Sequence, residues 1–80
     1  MAKRVVVTGA YGKMGQEVVK LIDELEELVL VGAVDVDKVG EDINQLLGLT
    51  GKRVEISSNL DDVLAATEPD AVVDFTSPQV

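Results

Sequence analysis

Gly9, Gly12 and Gly15 stand three residues apart where an apolar run gives way to an amphipathic one, and they are the residues of this chain best placed to do chemistry. Glycines spaced in this way after a strand allow a tight turn and a close approach to the backbone, while the unpaired N–H groups at the start of the following helix face an anion. The run Val5-Val6-Val7-Thr8-Gly9-Ala10-Tyr11-Gly12-Lys13-Met14-Gly15 therefore predicts a seat for a pyrophosphate. A dinucleotide site also needs an acid for the adenosine ribose about 20 residues further on. Asp35 stands 20 positions after Gly15. The spacing here is Gly-x-x-Gly-x-x-Gly, so Ala10 occupies the place of the first glycine of the commonest dinucleotide fingerprint and Gly9 is displaced by one. A glycine-rich turn without a ligand is the simpler reading, but the strand before it, the helix after it and the acid beyond it favour binding.

Other chemistries find little material. The sequence has no cysteine, which excludes a disulfide framework, a thiolate nucleophile and a cysteine-type zinc site. It has no histidine, so the commonest general base and the commonest metal ligand are both missing, and neither a metal site nor a catalytic residue is assigned. Seven basic against 15 acidic residues give a net charge of −8, which argues against nucleic acid or an anionic membrane as partner. Any bound anion must be held by local geometry. Lys3-Arg4 leads straight into a short strand, so no signal peptide is read, and no apolar run approaches the ~20 residues of a membrane span. The expected compartment is the cytoplasm.

The elements that position these residues alternate. A β-branched run over Lys3 to Thr8 predicts a strand covered on both faces. From Lys13 to Glu26, Met14, Val18, Leu21, Ile22 and Leu25 recur at helical spacing and predict one buried stripe. Leu28 to Val34 reads as a second strand with Asp35 at its end. Gly40, Gly48 and Gly51 punctuate residues 36–52, which read as a mobile loop with one helical turn around Ile43 to Leu47. A short third strand is expected over Val54 to Ser57, a helix capped by Asn59 over Leu60 to Ala66, and a fourth strand over Asp70 to Phe75. The series β-α-β-loop-β-α-β implies right-handed crossovers and an α/β fold of the Rossmann type, a parallel sheet in the order 3-2-1-4 with ligands at the carboxyl ends of its strands. Eighty residues make one small domain, burying only about 60–65% of its unfolded surface, and correspond to half of such a sheet.

The turn Gly9 to Gly15, the Val34-Asp35 ending and Asp74-Phe75-Thr76-Ser77-Pro78 together resemble the amino-terminal domain of bacterial dihydrodipicolinate reductases, over essentially all of the chain. The resemblance implies an enzyme of lysine and diaminopimelate synthesis that reduces a cyclic dihydrodipicolinate-type substrate with NADH or NADPH. It implies that Gly9, Ala10, Tyr11, Gly12, Lys13 and Met14 lie along the pyrophosphate, that Asp35 bonds the adenosine ribose, and that Phe75 and Thr76 flank the nicotinamide. A carboxylate at Asp35 favours a 2′-hydroxyl over a 2′-phosphate. The arginine that often follows this acid in the family is Val36 here. NADH is therefore the expected cofactor, with NADPH tolerated if Lys38 or Lys13 swings in. Lys13 replaces the family's more usual arginine, and it reads equally as a phosphate contact or as a surface partner for Glu17.

Asp74 reads as a structural acid accepting from loop N–H groups, Tyr11 as a cover over cofactor or loop, and the Met14 side chain as core with only its backbone near phosphate. The acids Asp23, Glu24, Glu26 and Glu27 read as a solvated face. The substrate domain and catalytic motif of the resembled enzymes follow the fourth strand, so residues 1–80 are expected to be an amino-terminal dinucleotide-binding domain, inactive alone. Two other readings stay open: a non-catalytic nucleotide-binding or self-associating module, pairing through the exposed edge of the fourth strand, and the cofactor domain of another dehydrogenase, such as one acting on aspartate or homoserine.

Overall fold

The computed structural model describes residues 2–75. Its elements are β1 (Lys3–Thr8), α1 (Lys13–Glu24), β2 (Leu28–Val34), α2 (Ile43–Leu46), β3 (Ile56–Ser57), α3 (Leu60–Thr67) and β4 (Ala71–Asp74). The four strands form one parallel sheet in the order β3-β2-β1-β4, as the alternation of elements predicts. Strand alternation sends successive side chains to opposite faces. Val5 and Val7 join Val19 and Ile22 of α1 in one core. Val6 faces the other way, where it and Val63 of α3 crowd the space a Cβ at Gly32 would take. The two helices thus cover opposite faces, which is why β1 is apolar without interruption from Val5 to Val7. The register of β1 on β2 shifts between Val5, paired with Leu30, and Val6, paired with Gly32. That shift brings Gly32 beneath α3.

Several expectations need correction. The buried face of α1 is Gly15, Val19 and Ile22, whereas Met14 is 60% exposed and Leu21 50% exposed. Met14 is therefore not core. The cause is Gly15, whose backbone lies so close to Ala10 and Gly9 that this row, rather than the one through Met14 and Leu21, must face the sheet. The helix also stops at Glu24, because the Leu25 backbone turns extended while its N–H still bonds back to Leu21 and Ile22.

Residues 36–52 are not a loose loop. The Asp42 carboxylate accepts from the N–H groups of Asn44 at 3.1 Å and Val54 at 3.0 Å, capping α2 and tying it to the approach to β3. The Asn44 side-chain amide, 5% exposed, donates to the Lys52 carbonyl. Ile43 is fully buried in the same core as Val19 and Ile56. An antiparallel bridge between Asp42 and Glu55 precedes β3, which shortens the third strand to Ile56 and Ser57. The helix expected over Leu60 to Ala66 runs to Thr67, with the Asn59 side chain accepting from the Asp62 N–H as the sequence predicts. The fourth strand is trimmed at both ends, to Ala71–Asp74. No helix among the described residues is long and apolar enough to cross a membrane.

Candidate functional site

β1 and β2 run side by side, so the turn after β1 and the acid after β2 meet at the carboxyl edge of the sheet. Gly9 bends the chain with φ of +67°, a left-handed conformation that L side chains rarely adopt. The Ala10 N–H then bonds the Val34 carbonyl at 3.1 Å, holding the turn against the end of β2. Gly12 is the N-cap of α1, and a side chain there would begin 3.3 Å from the Gly9 carbonyl oxygen. Gly15 admits α1 against the turn, since its Cβ would stand 2.8 Å from the Ala10 Cα.

The start of α1 is chemically open. The first intrahelical bond runs from the Gln16 N–H to the Gly12 carbonyl at 2.9 Å, which leaves the N–H groups of Lys13, Met14 and Gly15 without an intrahelical acceptor. Gly12 supplies no capping side chain, and no acid lies in the first turn. By contrast α3 is capped by Asn59 and carries Asp61 and Asp62 there. A set of unused donors at the positive end of a helix dipole, beside glycines that keep the approach clear, fits a phosphate group.

Asp35 is half-buried directly after β2. Its Oδ2 accepts from the Tyr11 N–H at 2.8 Å, and its Oδ1 accepts from the N–H groups of Val36 at 2.7 Å and Asp37 at 3.0 Å. The structure thus joins the predicted acid to the predicted turn. Tyr11 is half-buried, and Lys13 is exposed in the first turn of α1 and, among the described residues, forms no ion pair with Glu17. Phe75 is half-buried against the core, its N–H donating to the Thr8 carbonyl at 3.0 Å. Thr76 lies outside the described residues.

Sequence reasoning overlooked two contributors. Gln16 donates its side-chain amide to the Tyr11 carbonyl at 2.7 Å. The Thr8 hydroxyl, on a residue only 3% exposed, donates to Asp74 at 2.6 Å and so ties the ends of β1 and β4 beneath the turn. Thr8 carried a usable signal, as the one polar residue closing a run of valines; Gln16 did not. Hollows among the described residues lie elsewhere. One, of about 520 Å³, opens toward the amino ends of β1 and β2, beside Val29, Ile22 and Arg53, and another lies beside Gly40 and Gln45. Neither is lined by the glycine turn.

Comparison with known proteins gives one consistent answer. Residues 3–80 match the family model described as dihydrodipicolinate reductase, N-terminus. The chain is 47% identical over 76 residues to 4-hydroxy-tetrahydrodipicolinate reductase of Syntrophomonas wolfei and 46% identical over 79 residues to that of Thermosynechococcus vestitus, covering 95% and 94% of itself. It spans 29% of the length of each of these curated relatives. The solved dipicolinate-bound dihydrodipicolinate reductase from Paenisporosarcina sp. TG-14 superposes with a TM-score of 0.74 at 30% identity, over 98% of this chain and 30% of that one. A DUF1611 family protein from Anabaena variabilis, 21% identical with a TM-score of 0.69, shares the fold. With residues 3–80 matching the family model and a parallel 3-2-1-4 sheet, the chain belongs to the dihydrodipicolinate reductase family, whose amino-terminal domain it matches.

Proposed function

We propose that residues 1–80 are the nicotinamide-dinucleotide-binding domain of a cytoplasmic reductase acting on a cyclic dihydrodipicolinate-type substrate in lysine and diaminopimelate synthesis. The observation that carries this reading is the set of free helix N–H groups at Lys13, Met14 and Gly15 beside the glycine turn, with Asp35 bonded to the same turn. Gly9 to Met14 line the pyrophosphate, and Asp35 faces the adenosine ribose. Phe75 and Thr76 flank the nicotinamide, which supplies the hydride when bound. The chain's own part is to seat the nucleotide and orient its reactive end.

NADH is the preferred form in this reading. The Asp35 carboxylate accepts from ribose hydroxyls and repels a 2′-phosphate, and Val36 offers that phosphate no charge. Calorimetric titration of the 80-residue chain with NADH, NADPH and a pyridine dicarboxylate tests the proposal. NADH binding without dicarboxylate binding is expected. Tight dicarboxylate binding, or no nucleotide binding, would overturn it.

A second reading concerns self-association. β4 pairs only with β1 among the described residues, and Val72 on it is 44% exposed. An open apolar edge of this kind is a template for pairing with a second copy. Light scattering across a concentration series should show dimers; a monomer throughout would dismiss edge pairing.

A further inference from the structure

The backbone N–H and C=O of Tyr11, on the peptide groups either side of its Cα, are both held by side chains. Its N–H donates to Asp35 Oδ2 at 2.8 Å, and its carbonyl accepts from Gln16 Nε2 at 2.7 Å. Within the turn itself the backbone supplies one bond, from the Gly12 N–H to the Gly9 carbonyl at 3.1 Å, and the Ala10 N–H anchors the entry to β2. Gly9 and Gly12, either side of Ala10-Tyr11, give that stretch backbone freedom that its own bonds must limit. The backbone bonds fix the two ends of the turn, and the pair of side chains holds the Tyr11 backbone between them.

We propose that Asp35 and Gln16 form a clamp on the Tyr11 backbone, which sets the glycine turn in its anion-receiving shape before a nucleotide arrives. An ionised carboxylate has about four lone-pair sites. Three of those on Asp35 are already engaged by the N–H groups of Tyr11, Val36 and Asp37. One remains, on Oδ2. Asp35 is thus a positioning residue for the turn as well as a ribose acceptor, and Gln16 is a positioning residue alone. Preorganisation lowers the cost of binding for any ligand that uses the turn, whichever group sits on its ribose. The clamp therefore strengthens NADH and NADPH alike. This consequence for binding rests on the function proposed above, whereas the clamp itself does not.

Two variants test it. In Asp35→Asn one oxygen becomes an NH₂ group, and an oxygen kept on the N–H groups of Val36 and Asp37 leaves that NH₂ against the Tyr11 N–H. Gln16→Met keeps the length of the side chain and removes its donor. Amide hydrogen exchange on the nucleotide-free 80-residue chain should show the Tyr11 amide exchanging about tenfold faster in D35N and about threefold faster in Q16M, the scale of a lost charge-assisted or neutral hydrogen bond. The Val6 and Val7 amides should be unchanged, which confirms that the sheet is intact. Wild-type protection of Tyr11 in Q16M, or in a folded D35N, would overturn the clamp. In titrations, Q16M should weaken NADH and NADPH by equal factors of about 3 to 10. Weakening of one nucleotide alone would contradict a preorganised turn. Should the wild-type chain bind neither nucleotide, the proposed function falls, while the exchange rates still decide the clamp.

Discussion

Replacement of Gly15 by alanine should cost stability even though alanine is the better helix former. A Cβ at this position would stand 2.8 Å from the Ala10 Cα and 2.9 Å from the Ala10 carbonyl carbon, and would overlap the Gly9 carbonyl oxygen. All three are backbone atoms, and Ala10 is fully buried, so no side chain can swing aside. The first turn of α1 must lift away from the sheet, or the glycine turn must move. Overpacking of this kind costs about 1–3 kcal/mol and occasionally more. The gain in helix propensity offsets at most ~1 kcal/mol. A backbone clash belongs at the upper end of the first range, which leaves a net loss of about 2 kcal/mol. In a domain of this size that is a large share of a total stability of about 4–12 kcal/mol, and it should lower the melting temperature by roughly 8–16 °C. Thermal unfolding followed by circular dichroism is the assay. A variant that melts at or above the wild-type temperature would refute the account of why α1 faces the sheet as it does.

Gly12→Val should separate binding from folding: its Cβ meets only the Gly9 carbonyl oxygen, at 3.3 Å. Loss of about 1 kcal/mol of stability is expected from a poorer N-cap, together with more than tenfold weaker NADH binding by titration; unchanged affinity would contradict the seat. Asp42→Ala removes the acceptor shared by Asn44 and Val54. It should destabilise the chain by about 1–2 kcal/mol in urea unfolding and speed amide exchange at Asn44 and Val54; wild-type exchange there would mean that residues 36–52 are not tied as described. Asn59→Ala removes the cap of α3 and should cost about 1 kcal/mol in the same urea assay. No change in midpoint would show that the cap contributes nothing.

What could be read in advance was whatever depends on neighbours in sequence. The valine run of β1 and the run of β2 end where their apolar character ends, and Asn59 stands before α3 in the capping position. Gly9, Gly12 and Asp35 were legible from spacing, because a turn and a strand end that share one sheet edge must converge. The buried face of α1 was legible only in part: Ile22 is buried and Val18 packs on the core as the stripe predicts, whereas Met14 and Leu21 are exposed. Apolar periodicity also selects Met14 and Leu21, but one glycine, through the contact its missing side chain permits, outweighs both. In residues 36–52 the helical turn at Ile43 was legible, but not the order around it, which comes from Asp42 reaching Val54 and Asn44 reaching Lys52, pairings that no local pattern encodes. Thr8 stands out as the polar end of a valine run, but its partner Asp74, like the bond of Gln16 to Tyr11, depends on where a distant strand or a loop comes to rest.

The most direct test is a map of amide chemical-shift changes in the isotope-labelled 80-residue chain as NADH is added. The account predicts the largest changes at Gly9 to Gly15 and at Asp35, with little change at Val29 to Val31 and Lys52 to Val54, which border the hollow at the other end of the strands. Changes centred on that hollow, with the glycine turn unmoved, would contradict it.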